Sequence, residues 1–311
     1  MKKILDKIRV GSRASPLAKA QMNIFLKALL NKFGEKIENK IEVRFYKTSG
    51  DKFLNKNISE IGNKGLFTKE IDEAQLRAEI DIGVHSLKDL PTNLPEGLII
   101  AAVLPRGDCR DVIYSKNYKN LNNLKKKAII GTSSIRRAIQ LKHLRPDLVV
   151  KEIRGNVETR IKKIKDGKYD AIILAAAGLK RLGIKKNFFE IDTKKIVPAI
   201  GQGVIAIVAD KKNKKIINIL REINDEDTFV ESECEREYLK ALDGSCQTPI
   251  GGMARIKNVK GKKHFFFRYM ASSLDGKNFV KNKTYFKMSE FRFESLNLGK
   301  KIRKKIGLGK L

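Results

Sequence analysis

Lys88 and Asp89 stand together in DIGVHSLKDLPT (81–92), just after a short apolar strand and just before Pro91. A carboxylate at a strand end beside an ammonium stays ionised, and when partly desolvated it can pass protons. His85, upstream on the same stretch, is a second candidate base, although a lone histidine at a strand end is more often a hydrogen-bonded structural residue. Cys246 poses a different question. It lies in DGSCQTPIGG (243–252), which is turn chemistry and not an apolar run. A cysteine there can be a metal ligand, half of a disulfide, a nucleophile, an attachment point or an inert thiol. The three cysteines (109, 234, 246) form no CxxC pair and are odd in number, which argues against a disulfide framework. The three histidines (85, 143, 264) are too scattered for a zinc site, so no metal is expected. A nucleophilic thiol needs a base, and no histidine lies near Cys246 in sequence. The residues alone leave nucleophile, anchor and inert thiol open.

Arginine is the third signal. Lysine dominates the chain, yet between 131 and 160 there are five arginines (136, 137, 145, 154, 160) against two lysines (142, 151). Most stand at strand-to-helix junctions, in GTSSIRR and IRGNVETR. VGSRASP sets Arg13 and Ser15 in the same situation. Helix N-termini direct N–H groups at anions, and a guanidinium grips a carboxylate with two donors. The set points to a cleft between two α/β domains that holds a polyanion, against surface arginines paired with Glu or Asp. Neither GxxxxGK[ST] nor GxGxxG occurs, so carboxylates are a better anion than a nucleotide.

The elements that must position these groups alternate. KIRVGS (7–12) reads as a strand, PLAKAQMNIFLKALL (16–30) as a helix opened by proline, and IEVRFYKT (41–48) as a strand. A polar loop (49–65), a helix from about Phe67 and a strand at DIGVHS follow. After Pro105 the pattern restarts: AIIGTS, SIRRAIQLKHL, DLVVKEI, NVETRIKKIKDG and YDAIILAA read strand, helix, strand, helix, strand. Such alternation predicts two parallel sheets with covering helices. From about 226 an acidic-started helix, strand-like segments and a basic helix at about 289–306 predict a small α+β domain.

The 311 residues suffice for two or three domains. The net charge of +31 comes mostly from lysines spread along the whole chain, so a solvated basic surface is favoured over nucleic-acid binding. The start MKKILDKIRV lacks a signal-peptide apolar run, and no stretch is long enough to span a bilayer, so no membrane partner and a cytoplasmic location are expected.

Together VGSRASPLAKAQ, KGLFTKEID, DIGVHSLKDLPT, LPRGDCRDV, GTSSIRR, RGNVETR, AAAGLKRLG, VPAIGQG and LDGSCQTPIGG resemble the porphobilinogen deaminase (hydroxymethylbilane synthase) family over nearly the whole chain. The resemblance implies an α/β fold with two periplasmic-binding-protein-like α/β lobes and a smaller C-terminal α+β domain. Its divisions are 1–104 with 203–222, 105–202, and 226–311. It implies a transferase that joins four porphobilinogen molecules, with ammonia release, into hydroxymethylbilane. A dipyrromethane cofactor would be held by a thioether to Cys246. Asp89, with Lys88, matches the catalytic position. Arg13, Ser15, Lys88, Ser133, Ser134, Arg136, Arg137, Arg154 and Arg160 match cofactor-binding positions. Arg13, Arg154, Arg160, Arg181, Phe67 and Lys64 match substrate-binding ones. The 49–65 loop would be a lid, with Glu60 departing from a basic residue found in some members. A monomer is implied, with the product passed to uroporphyrinogen-III synthase. The alternatives are a non-catalytic two-lobed anion-binding protein, a thiol-nucleophile enzyme and an RNA-binding protein.

Overall fold

The computed structural model describes residues 7–52, 65–242, 248–259 and 261–307. The chain divides into two compact units, Met1–Arg106 with Val204–Phe229, and Gly107–Gly203 with Val230–Leu311.

The first unit begins with β1 (Ile8–Arg13), α1 (Pro16–Phe33), β2 (Ile41–Tyr46), α2 (Ser49–Lys52), α3 (Lys69–Leu76), β3 (Ile82–Ser86) and β4 (Leu98–Val103). Local chemistry sets the bounds of α1. The Ser15 hydroxyl accepts from Ala18 N–H as N-cap, Pro16 fills the first turn, and Gly34 closes the helix at φ +71°. Met22, Phe25 and Leu29 lie on one stripe and pack with Ile8, Val10, Ile82 and Val84 of the strands. Each such buried side chain contributes about 1.5–3 kcal/mol.

The second unit continues with β5 (Asp111–Tyr114), β6 (Ile129–Gly131), α4 (Ile135–Leu144), β7 (Val149–Lys151), α5 (Val157–Lys165), β8 (Ala171–Ala175), α6 (Ala176–Arg181) and β9 (Phe188–Glu190). The chain then returns to the first unit as β10 (Ile205–Asp210) and α7 (Lys214–Arg221). Next come α8 (Glu226–Ala241), β11 (Ile250–Val259), β12 (Lys262–Ser272), β13 (Phe279–Lys287) and α9 (Phe291–Ile306).

The two large sheets have one layout. Their orders are β2-β1-β3-β10-β4 and β7-β6-β8-β5-β9. The first three strands of each are parallel, joined through helices. The fourth position in each runs antiparallel to both neighbours. The expectation of wholly parallel sheets is corrected at β5 and β10. Both strands arrive from the other unit, so no helical crossover within the sheet forces them parallel. The third sheet is the antiparallel meander β11-β12-β13, packed with α8 and α9 around Tyr238, Phe265, Phe267 and Phe291. The architecture is α/β, with two five-stranded lobes and a smaller C-terminal α+β part. The helix expected from about Phe67 starts two residues later, at Lys69.

Candidate active site

In open α/β sheets the carboxyl ends of parallel strands are where ligands bind. In the first unit β1 ends at Arg13 and β3 ends at Ser86, and the tight turn Leu87–Asp89 follows. Leu87 and Leu90 are buried, and Leu87 N–H donates to Val204 O at 3.0 Å, which fixes the turn from below. Asp89 thereby joins Arg13, Ser15, Phe67, His85 and Ser86 in lining one small pocket. The Arg13 guanidinium lies 4.4 Å from the Phe67 ring centroid, a cation–π distance. Ser15 caps α1, so its hydroxyl oxygen is already engaged. Lys88 shares the turn with Asp89 but is not among the described residues lining the pocket. Burial, aided by the Arg13 charge, pushes the His85 imidazole down to about 4, so it is neutral near pH 7.

In the second unit the arginines separate into two kinds. Arg136 and Arg137, both on α4, are almost wholly buried, at 4% and 7% exposure. Arg136 Nη1 donates to Asp111 Oδ2 at 2.8 Å and to Val197 O at 2.5 Å. Arg137 donates to Asp111 Oδ1 from Nε (3.0 Å) and Nη2 (2.7 Å), and to Ile173 O at 3.0 Å. Gln202 Nε2 adds a bond to Asp111 Oδ1 at 2.9 Å. Burial opposes the Asp111 charge, but the two guanidiniums win and hold it well below the usual carboxylate range.

Arg160 and Arg181 are of the other kind. Both are half-buried, and among the described residues no carboxylate pairs with either. Arg160 Nε donates to Gly155 O at 2.7 Å and Arg181 Nη2 to Gly203 O at 2.6 Å. Burial lowers each guanidinium to about 10, with the Arg137 and Arg154 charges adding to the effect at Arg160. Arg154 donates to Glu152 Oε1 at 2.6 Å. Ser133 is exposed and donates to Ile153 O, while Ser134 is the N-cap position of α4. The unit therefore offers half-buried cations in need of anions, the environment that a carboxylate-bearing ligand fits.

Cys246, Lys64 and Glu60 lie outside the described residues. Cys109 and Cys234 are buried thiols outside any disulfide. Burial pushes the Cys234 thiol far up, so it is inert as a nucleophile. Among the described residues no group of three or more His, Cys, Asp or Glu is placed to hold a metal ion. Residue-type reasoning overlooked Asp111, Gln140 and Gln202. Gln140 accepts from Val197 N–H at 2.8 Å and donates to Val197 O at 3.1 Å. The available signal for Asp111 was an acid opening the apolar strand DVIY in a segment otherwise chosen for burial.

A pocket lined by Asp89 and Arg13 in one unit, and half-buried guanidiniums without a described carboxylate partner in the other, belong to a protein of the α/β class. A family model described as "Porphobilinogen deaminase, dipyromethane cofactor binding domain" matches residues 8–218, and one described as "Porphobilinogen deaminase, C-terminal domain" matches 229–307. Curated relatives named porphobilinogen deaminase include that of Nitratiruptor sp., 45% identical over 80% of this chain and 79% of its own. Another, from Campylobacter hominis, is 39% identical over 96% and 94%. Among solved structures, the methionine binding protein MetQ aligns with a TM-score of 0.44 and 14% identity, over 74% of this chain and 95% of its own. The chain belongs to the porphobilinogen deaminase family, whose members are transferases of tetrapyrrole biosynthesis.

Proposed function

We propose that the chain joins four porphobilinogen molecules head to tail, releasing ammonia at each step, to give the linear tetrapyrrole hydroxymethylbilane. The observation that carries this is the pair of half-buried guanidiniums, Arg160 and Arg181, with no carboxylate among the described residues to neutralise them. Each pyrrole of substrate and product bears an acetate and a propionate, which are bidentate partners for such groups. The same open cations fit the dipyrromethane that the family carries. Cys246 would hold it by a thioether, and Arg154, Arg160, Ser133 and Ser134 would meet its carboxylates. When bound, it supplies the nucleophilic carbon of its terminal pyrrole.

The chain's own residues then do the following. Arg13, stacked on Phe67, binds a substrate carboxylate at the pocket, and Arg154, Arg160, Arg181 and Lys64 receive those of the growing product. Asp89 faces the reacting ring and stabilises the positive charge that develops as ammonia leaves. It also accepts the proton that the attacking pyrrole sheds from its α-carbon as that ring regains aromaticity. Lys88, next to Asp89 on the same turn, supplies a positive charge to the carboxylates of the bound pyrroles. Arg136 and Arg137 act from the Asp111 clamp, fixing the start of α4 and Ser134 rather than offering free guanidiniums. The division into three domains, a monomeric cytoplasmic enzyme and delivery of product to uroporphyrinogen-III synthase complete the proposal.

Intact-protein mass spectrometry tests it. The purified chain should be heavier than its sequence by one two-pyrrole unit, and Cys246→Ser should lose that increment. Added porphobilinogen should give stepwise increases. A mass that never shifts with substrate would leave a non-catalytic anion-binding protein instead.

A further inference from the structure

Side chains two apart on a strand share a face, so Gly83 and His85 of β3 point the same way. A Cβ on Gly83 would fall 2.7 Å from both His85 Nε2 and Gln75 Oε1. The two atoms are thus separated by at most twice that distance. Glycine at 83 leaves the space into which both reach.

The amide of Gln75 has a fixed orientation. Its Nε2 donates to Val208 O at 2.9 Å, and a carbonyl only accepts. Oε1 must therefore be the atom turned toward the imidazole. Gln75 and His85 are 3% and 5% exposed, and neither Oε1 nor Nε2 has a partner among the described residues. Two bare acceptors facing each other in a buried space are unfavourable, and a proton on one of them removes the conflict. The amide oxygen cannot carry it, so it belongs on Nε2, and since the two atoms do not bond directly one water between them would take the proton's hydrogen bond. The imidazole is neutral, as its burial beside Arg13 dictates, and so has only that one proton. Nδ1 is left as a bare lone pair, on a residue that lines the pocket with Asp89.

We propose that Gln75 holds His85 as the Nε2–H tautomer, so that His85 Nδ1 serves the pocket as a hydrogen-bond acceptor for the pyrrole N–H or aminomethyl group of the substrate. Gln75 is a positioning residue that acts through His85. The substrate half of the proposal rests on the family reaction above; the tautomer half stands on the placement of Gln75, Gly83 and His85 and on the burial that keeps the imidazole neutral.

The test is ¹⁵N spectroscopy of the holoenzyme labelled at histidine, with only three histidines to assign. His85 is expected to show a protonated Nε2 and an unprotonated Nδ1 near pH 7, and Gln75→Leu is expected to shift it toward the Nδ1–H form. An Nδ1–H form in the unmodified protein would overturn the proposal, and that measurement holds even where Gln75→Leu fails to fold. Added porphobilinogen should then move the Nδ1 resonance in the direction of hydrogen bonding. Turnover with an unmoved Nδ1 would overturn the substrate half and leave the family reaction standing. Absence of both binding and turnover would overturn the family reaction and the substrate half with it.

Discussion

Asp89 lies in the turn after β3 and Asp111 opens β5, and their surroundings differ. Asp111 is fully buried under two guanidiniums and an amide. Asp111→Ala leaves Arg136 and Arg137 buried without their counterion, and should lower stability by about 3–5 kcal/mol in urea unfolding. Asp89 is half-buried at a pocket. Asp89→Asn should leave the urea midpoint nearly unchanged but lower kcat by about 100-fold or more, measured as product formed per cofactor-loaded enzyme. A third acid, Asp72, is buried on α3 with Oδ1 unpartnered among the described residues. Burial raises its carboxyl from 3.8 to about 6, against a smaller opposing effect of the Thr68 hydroxyl. The folded state therefore binds its proton more tightly than the unfolded one. This group stabilises most at low pH, and its contribution is lost as pH rises from about 4 through about 6. Asp72→Asn should raise stability at pH 7.5 by roughly 1–3 kcal/mol, with the gain vanishing near pH 4. Paired denaturation curves of variant and parent would show it. The density of arginine at 131–160 is plain in the sequence. Which of those arginines already has a carboxylate is not, because Asp111 sits on β5, 25 residues from Arg136 on α4.

At the scale of elements, α8 and α9 approach more closely than ordinary side chains allow. A Cβ on Gly299 would meet Ala241 Cβ at 2.4 Å and Tyr238 O at 2.8 Å. The second contact is backbone and cannot swing away. Gly299→Ala should cost about 1–3 kcal/mol, read from thermal or urea unfolding followed by circular dichroism. The alternation of strands and helices was legible because periodicity and caps are local: Ser15, Pro16 and Gly34 bound α1 within two turns of where they stand. The direction of β5 and β10 was not. An apolar strand buried on both faces reads the same in either direction, and its orientation is decided by where the chain came from. The end of β3 was legible as a place for chemistry. The opposition of Gln75 and His85 was not, since it depends on a helix folding back over Gly83.

For the whole molecule, the formal charge of +31 makes its own prediction. A substrate with two carboxylates should be drawn in by the summed field, and salt screens that field over about 10 Å at 0.1 M. kcat/KM for porphobilinogen should fall several-fold between about 20 and 300 mM salt while kcat changes little. A flat salt profile would show that the lysines contribute nothing to encounter. The restart of the strand and helix pattern after Pro105 and the change of character near 226 are features of the sequence itself and were legible there. The exchange of a strand between units was not, because it is a property of pairing over long distances.

That exchange has a consequence during synthesis. The apolar strand Leu98–Val103 has one sheet neighbour, β10, and β10 is encoded about a hundred residues later. At ribosomal speeds of about 5–20 residues per second the neighbour arrives roughly 5–20 s afterwards. Through that interval the N-terminal unit is an unfinished sheet, with one edge of β3 bare and β4 unpaired. The nascent chain is thus most vulnerable to mispairing in a window set by translation rate, and it closes only when Ile205–Asp210 clears the exit tunnel.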